Sequence, residues 1–126
     1  MKTLANVLDK VGKPTRRFTS ADGTRVLVLP YGGRVLGLFS PQSEENFYWT
    51  HPALAAVRTA RTFYASDQWH NSGGDRTWLA PEVDLFFPRF PKRDQYFQQR
   101  SLDPGNYRVR AANGGLTLVN RLTVRG

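Results

Sequence analysis

Between residues 4 and 11 the apolar side chains Leu4, Val7, Leu8 and Val11 recur at helical spacing and predict a short amphipathic helix, which Gly12 and Pro14 stop. The pattern then changes period. Asp22-Gly23 forms a turn ahead of the β-branched and Leu-rich run ending at Pro30. Gly32-Gly33 leads into a second such run through Val35, Leu36, Leu38 and Phe39, so the two runs predict paired strands joined by a tight turn. Phe47, Tyr48 and Trp49 suggest a short buried strand. The segment "PALAAVRTAR" has the composition of one or two helical turns opened by Pro52.

Further on, "VDLFFP" (83 to 88) reads as another strand, followed by a charged, aromatic connection that ends in the Pro104-Gly105 turn. The last stretch alternates most regularly. Tyr107, Val109 and Ala111 alternate with Arg108 and Arg110, Asn113-Gly114-Gly115 makes a hairpin turn, and Leu122 and Val124 alternate with Arg121, Thr123 and Arg125. One face is apolar and the other carries arginine. The strand edge running to Gly126 has nothing in sequence to cover it, which suggests either a paired edge or the front part of a longer domain.

With 126 residues the chain fits one domain, and 11 Gly and 8 Pro favour many short elements over long helices. The expectation is a mainly β fold, an antiparallel β-sandwich with a short N-terminal helix. The absence of Cys excludes disulfides, thiolate zinc sites and cysteine nucleophiles. Asp9 and Lys10 interrupt the apolar run a signal peptide needs, and no stretch is long enough to span a bilayer, so a soluble, cytoplasmic protein without a membrane partner is expected.

Charge changes the picture in one region. The formal net charge is +8, and residues 85–126 hold eight Lys or Arg against two acids, whereas residues 1–84 hold ten against eight. Such a C-terminal third fits a solvated or partner-facing sheet surface. It also permits a second function, binding of nucleic acid or another polyanion through Arg89, Arg93, Arg100, Arg108, Arg110, Arg121 and Arg125, with Phe90, Tyr96 or Phe97 for stacking. A third is an interaction module that self-associates through its C-terminal strand edge.

No Walker loop, His-Glu-x-x-His helix, Gly-x-Ser-x-Gly elbow or EF-hand loop is present. Candidate chemistry gathers in "HNSGGDRTWLAPEVD" (70 to 84). Gly73-Gly74 allows positive φ or close backbone approach, and Asp75-Arg76 either pairs internally or presents a planar donor to a ligand. His70 titrates in the range suited to proton transfer. Glu82 and Asp84 would share one face of an extended strand, where they serve acid/base chemistry or bind sugar hydroxyls, or else neutralise Arg76. Trp49, Trp69 and Trp78 are core residues by default, and one at a cleft would make a stacking platform.

The segments "GGRVLGLFSPQSEENFYWTHPAL" (32 to 54) and "WHNSGGDRTWLAPEVDLFFP" (69 to 88) resemble the N-terminal half of galactose mutarotase-like proteins, the aldose 1-epimerase-related β-supersandwich folds. Within them the likeness is to a bacterial branch with a Gly-Gly-Asp-Arg-x-Trp-x-Ala-Pro-Glu signature, and it covers about residues 25 to 90. The resemblance implies a small-sugar ligand, no cofactor and no metal. It places His70, Asn71, Asp75, Arg76 and Glu82 nearest the sugar, with Trp78 beside them and Arg76 as a hydroxyl or ring-oxygen donor. In that family a His acid and a Glu base come from the second half of a longer domain. No catalytic residue is therefore assigned, and the chain is expected to be the N-terminal portion of such a domain, binding sugar without turning it over.

Overall fold

The computed structural model describes residues 1–125; Gly126, to which the expected C-terminal strand edge runs, lies outside them. Helix α1 (Lys2–Lys10) forms as its spacing predicts: Ala5, Val7 and Leu8 are buried, and Leu4 and Val11 pack at the edge of that face. Gly12 ends the helix at φ +76°, and Lys13 N–H turns back to the Leu8 carbonyl at 2.9 Å.

Strands β1 (Arg16–Thr19), β2 (Arg25–Leu29), β3 (Arg34–Phe39) and β4 (Asp75–Arg76) make an antiparallel sheet in that order. Leu27, Leu29, Leu36 and Phe39 pack against α1, together with Leu54 from a 3₁₀ turn (Pro52–Ala55) and Ala60 from α2 (Val57–Phe63). The helical turns expected after Pro52 are thus present, and they cap the core over the sheet. A second antiparallel pair, β5 (Arg108–Ala112) and β6 (Gly115–Val119), forms the C-terminal hairpin.

Antiparallel pairing and the N-terminal helix match the sequence. The content is mixed and not mainly β, with 24% helix and 23% strand. Three local expectations fail for identifiable reasons. "VDLFFP" is not a strand: Glu82–Phe86 form helix α3, in which Glu82 and Asp84 occupy the first turn where the helix dipole favours acids. Phe47, Tyr48 and Trp49 do not form a buried strand; Phe47 and Trp49 are exposed, and pairing in this region is a single bridge from Thr50 to Gly73. Leu122 and Val124 alternate without belonging to a strand. Side chains replace a partner strand there: Ser101 Oγ donates to the Thr123 carbonyl at 2.7 Å, and the Gln99 amide donates to the Arg125 carbonyl at 2.8 Å while accepting from Arg125 N–H at 3.2 Å.

Candidate functional site

The site begins where the β2–β3 turn hands over to β3. Gly32 and Gly33 take φ of +88° and +60°, and the first residue after them, Arg34, is 2% exposed. The β3–β4 register sets Arg34 opposite Arg76, so two guanidinium groups emerge side by side and require an anion. Asp103 supplies it from the irregular turn Ser101–Gly105. Its Oδ2 accepts from Arg34 Nη2 at 3.1 Å, Arg76 Nη1 at 2.6 Å and Trp69 Nε1 at 2.8 Å. The other end of the Arg34 fork donates to the Gly73 carbonyl at 2.8 Å and to Asn71 Oδ1 at 3.2 Å. Burial pulls the Arg34 pKa down, and the Asp103 charge opposes that pull.

Arg76 connects this buried cluster to an open cleft. Its guanidinium carbon lies 3.8 Å from the ring centre of Trp78 and 4.8 Å from that of Trp69. Trp78 stacks on Phe86 at 4.4 Å, and Phe86 lies parallel to Tyr96 at 5.8 Å, so a layered aromatic wall carries the arginine. Trp69, Arg76, Trp78, Glu82 and Tyr96 enclose a cavity of about 270 Å³. Since Arg76 places one nitrogen on Asp103, its other N–H groups are available to a hydroxyl at this wall.

His70 borders a different cavity of about 140 Å³, which shares Trp69 with the first and also has Asp103 in its lining. The imidazole is buried, with Nδ1 3.3 Å from the Tyr31 hydroxyl and Nε2 3.3 Å from Ser66 Oγ. Phe63 and Tyr64 lie edge-on to its ring. Burial, aided by the Lys13 charge, holds its pKa below the ordinary 6.5, against a smaller opposing pull from Asp103. The unfolded chain therefore takes up this proton first. The stabilising contribution of neutral His70 is complete above about pH 6.5 and declines as the pH falls toward the folded-state value. In His70→Gln, the decline of melting temperature just below pH 6.5 is expected to flatten; an unchanged pH profile would assign that decline to other groups.

The six residues expected at a sugar site thus separate. Arg76, Trp78 and Glu82 share the aromatic cleft. Asn71 is exposed, but its side-chain oxygen serves the fold by accepting from Arg34 and from Gly73 N–H. Asp75 does not pair with the Arg76 guanidinium; its Oδ1 accepts from the Arg76 backbone N–H at 2.8 Å. Glu82 and Asp84 do not share a strand face, because they are two positions apart on a helix, and Asp84 faces a separate apolar groove. Nor are all the tryptophans core: Trp49 is 58% exposed and Trp69 39%.

Sequence reasoning missed Arg34, Asp103, Phe86 and Tyr96 as members of the site. Arg34 carried a signal, a lone cation heading an otherwise apolar strand. Asp103 carried another as the last acid in a strongly basic third of the chain. Within that basic third, three of the arginines have local partners. Arg89 pairs with Asp94 at 3.1 Å, Arg100 donates to the Asp67 carbonyl at 3.0 Å, and Arg125 lies near the Phe97 ring.

Among the described residues no group of three or more His, Asp or Glu is placed to hold a metal, and no helix is long and apolar enough to cross a membrane. Comparison with known proteins returns no match to a family model, a curated protein or a solved structure.

Proposed function

We propose that the chain is a carbohydrate-binding domain of the galactose mutarotase-like kind, and that one small sugar ring occupies the cleft between Trp69, Trp78, Glu82 and Tyr96. The observation that carries this reading is Arg76, anchored by Asp103 and laid over Trp78, with Glu82 lining the same cavity. A sugar ring offers an apolar C–H face and a rim of hydroxyls, which suit an aromatic wall edged by a planar donor and a carboxylate acceptor. A cavity of about 270 Å³ sits near the lower end of small-ligand pockets, roughly 300–1,000 Å³. The finer fold assignment belongs to the same proposal: the four-stranded sheet is one leaf of a β-sandwich. In a longer relative the second half would add the acid and base that move protons at the anomeric carbon. In this chain the residues named here bind and orient.

A titration with a panel of aldoses, followed by tryptophan fluorescence, tests this. One aldose is expected to give a saturable change. Trp78→Ala and Glu82→Gln, at positions on the cleft wall, are each expected to weaken it about tenfold, the equivalent of one charge-assisted hydrogen bond or a comparable stacking contact. Indifference to every aldose, or variants that bind as the parent does, would remove the proposal.

A further inference from the structure

The open end of the β5–β6 hairpin carries a feature that the aromatic cleft does not use. Arg108 opens β5 opposite Val119, and Arg121 follows two residues after β6 ends, so both line one cavity of about 640 Å³ together with Asn106 and Asn120. Asn120 is held in place: its amide donates to the Ser101 carbonyl at 2.7 Å, and its side-chain oxygen accepts from Asn106 N–H at 3.3 Å. The cavity thus has a fixed polar floor and two exposed guanidinium groups at its wall.

Among the described residues no carboxylate answers those charges. Residues 104–126 contain no Asp or Glu, and Asp103 bonds Arg34, Arg76 and Trp69. Arg108 and Arg121 make no ion pair or side-chain hydrogen bond among the described residues, whereas Arg25, Arg34, Arg76 and Arg89 each have a carboxylate. Two like charges lining one cavity repel each other, and an anion between them reverses the sign of that energy. A guanidinium fork matches two oxygens of a tetrahedral oxyanion, and two forks with neighbouring amides can supply donors to several.

We propose that the open end of the hairpin is a binding site for a phosphate or sulfate ester group, gripped by Arg108 and Arg121 and separate from the aromatic cleft. The chemistry shared by its ligands is the tetrahedral oxyanion; a phosphorylated sugar, a sulfated sugar or the free ion would each present it. Arg110 does not line the cavity and serves as an internal control.

The experiment is calorimetric titration of the full chain with inorganic phosphate and with inorganic sulfate, each against chloride at matched ionic strength. Galactose 6-phosphate and galactose 6-sulfate run alongside in the Trp78→Ala background, which disables the cleft. Saturable binding of either ion is expected, weakened about tenfold by Arg108→Gln and by Arg121→Gln but unchanged by Arg110→Gln. The two sugar esters then show which source is preferred, and their binding in the Trp78→Ala chain keeps this result independent of the cleft. Circular dichroism confirms that the variants fold. The proposal is overturned by non-saturable heats, by equal losses in all three variants, or by binding seen only with a long single-stranded oligonucleotide, which would indicate diffuse attraction to a polyanion.

Discussion

Asp103→Ala is expected to destabilise the chain by about 3–5 kcal/mol, because it leaves Arg34 buried and charged with no carboxylate and strips Arg76 of its anchor. A domain of this size has about 5–15 kcal/mol in total, so the loss would shift a urea midpoint far to the left with little change in slope. The cause is an uncompensated charge and not a lost attraction, and a second variant separates the two. Replacing both partners, Arg34→Met with Asp103→Leu, removes the buried charges together and is expected to recover much of the stability. Sugar affinity should not recover with it, since Arg76 would still lack the oxygen that aims it across Trp78. If the double variant is as unstable as Asp103→Ala, packing around the turn Ser101–Gly105, and not charge, is what Asp103 contributes.

This arrangement also explains what could be read in advance. The β2–β3 hairpin and α1 were legible because their signals are local: one period of apolar residues, closed by glycines at positive φ. Helix α3 was not, because a short, largely apolar stretch such as residues 83–87 satisfies a buried strand and a helix turn equally well. The deciding feature was the pair of acids just after Pro81, which suits a helix start. The tail shows the converse. Leu122 and Val124 have a strand's alternation, but a strand is made by its partner, and here Gln99 and Ser101 satisfy the backbone with side chains.

The candidate site was legible in part for the same reason. Arg76, Trp78 and Glu82 lie within seven positions of one another, and the motif that holds them could be seen as a unit. Arg34 and Asp103 are 69 residues apart and meet only because β3 pairs with β4 and the turn Ser101–Gly105 docks on the Gly32 N–H through the Pro104 carbonyl at 2.8 Å. No spacing rule reaches across that distance. Composition reaches part of the way, since one of only two acids in a strongly basic stretch is where a buried cation finds its partner.

The aromatic wall makes the second large prediction. Phe86 is fully buried between Trp78 and Tyr96, and Phe86→Ala is expected to cost about 3–5 kcal/mol from lost transfer and the cavity left behind. Stability alone would make this an ordinary core substitution. Its particular consequence is that Trp78, which carries Arg76, loses the ring that fixes its plane, so the sugar platform and the core fail together. Phe86→Leu separates those effects: it keeps most of the buried volume but removes the parallel stack. That variant is expected to fold, to lose only about 1.5 kcal/mol, and to show a red-shifted tryptophan emission with weakened aldose binding. Retention of full affinity in Phe86→Leu would mean that Arg76 and Asp103 position Trp78 unaided, and that the stack through Phe86 serves the core alone.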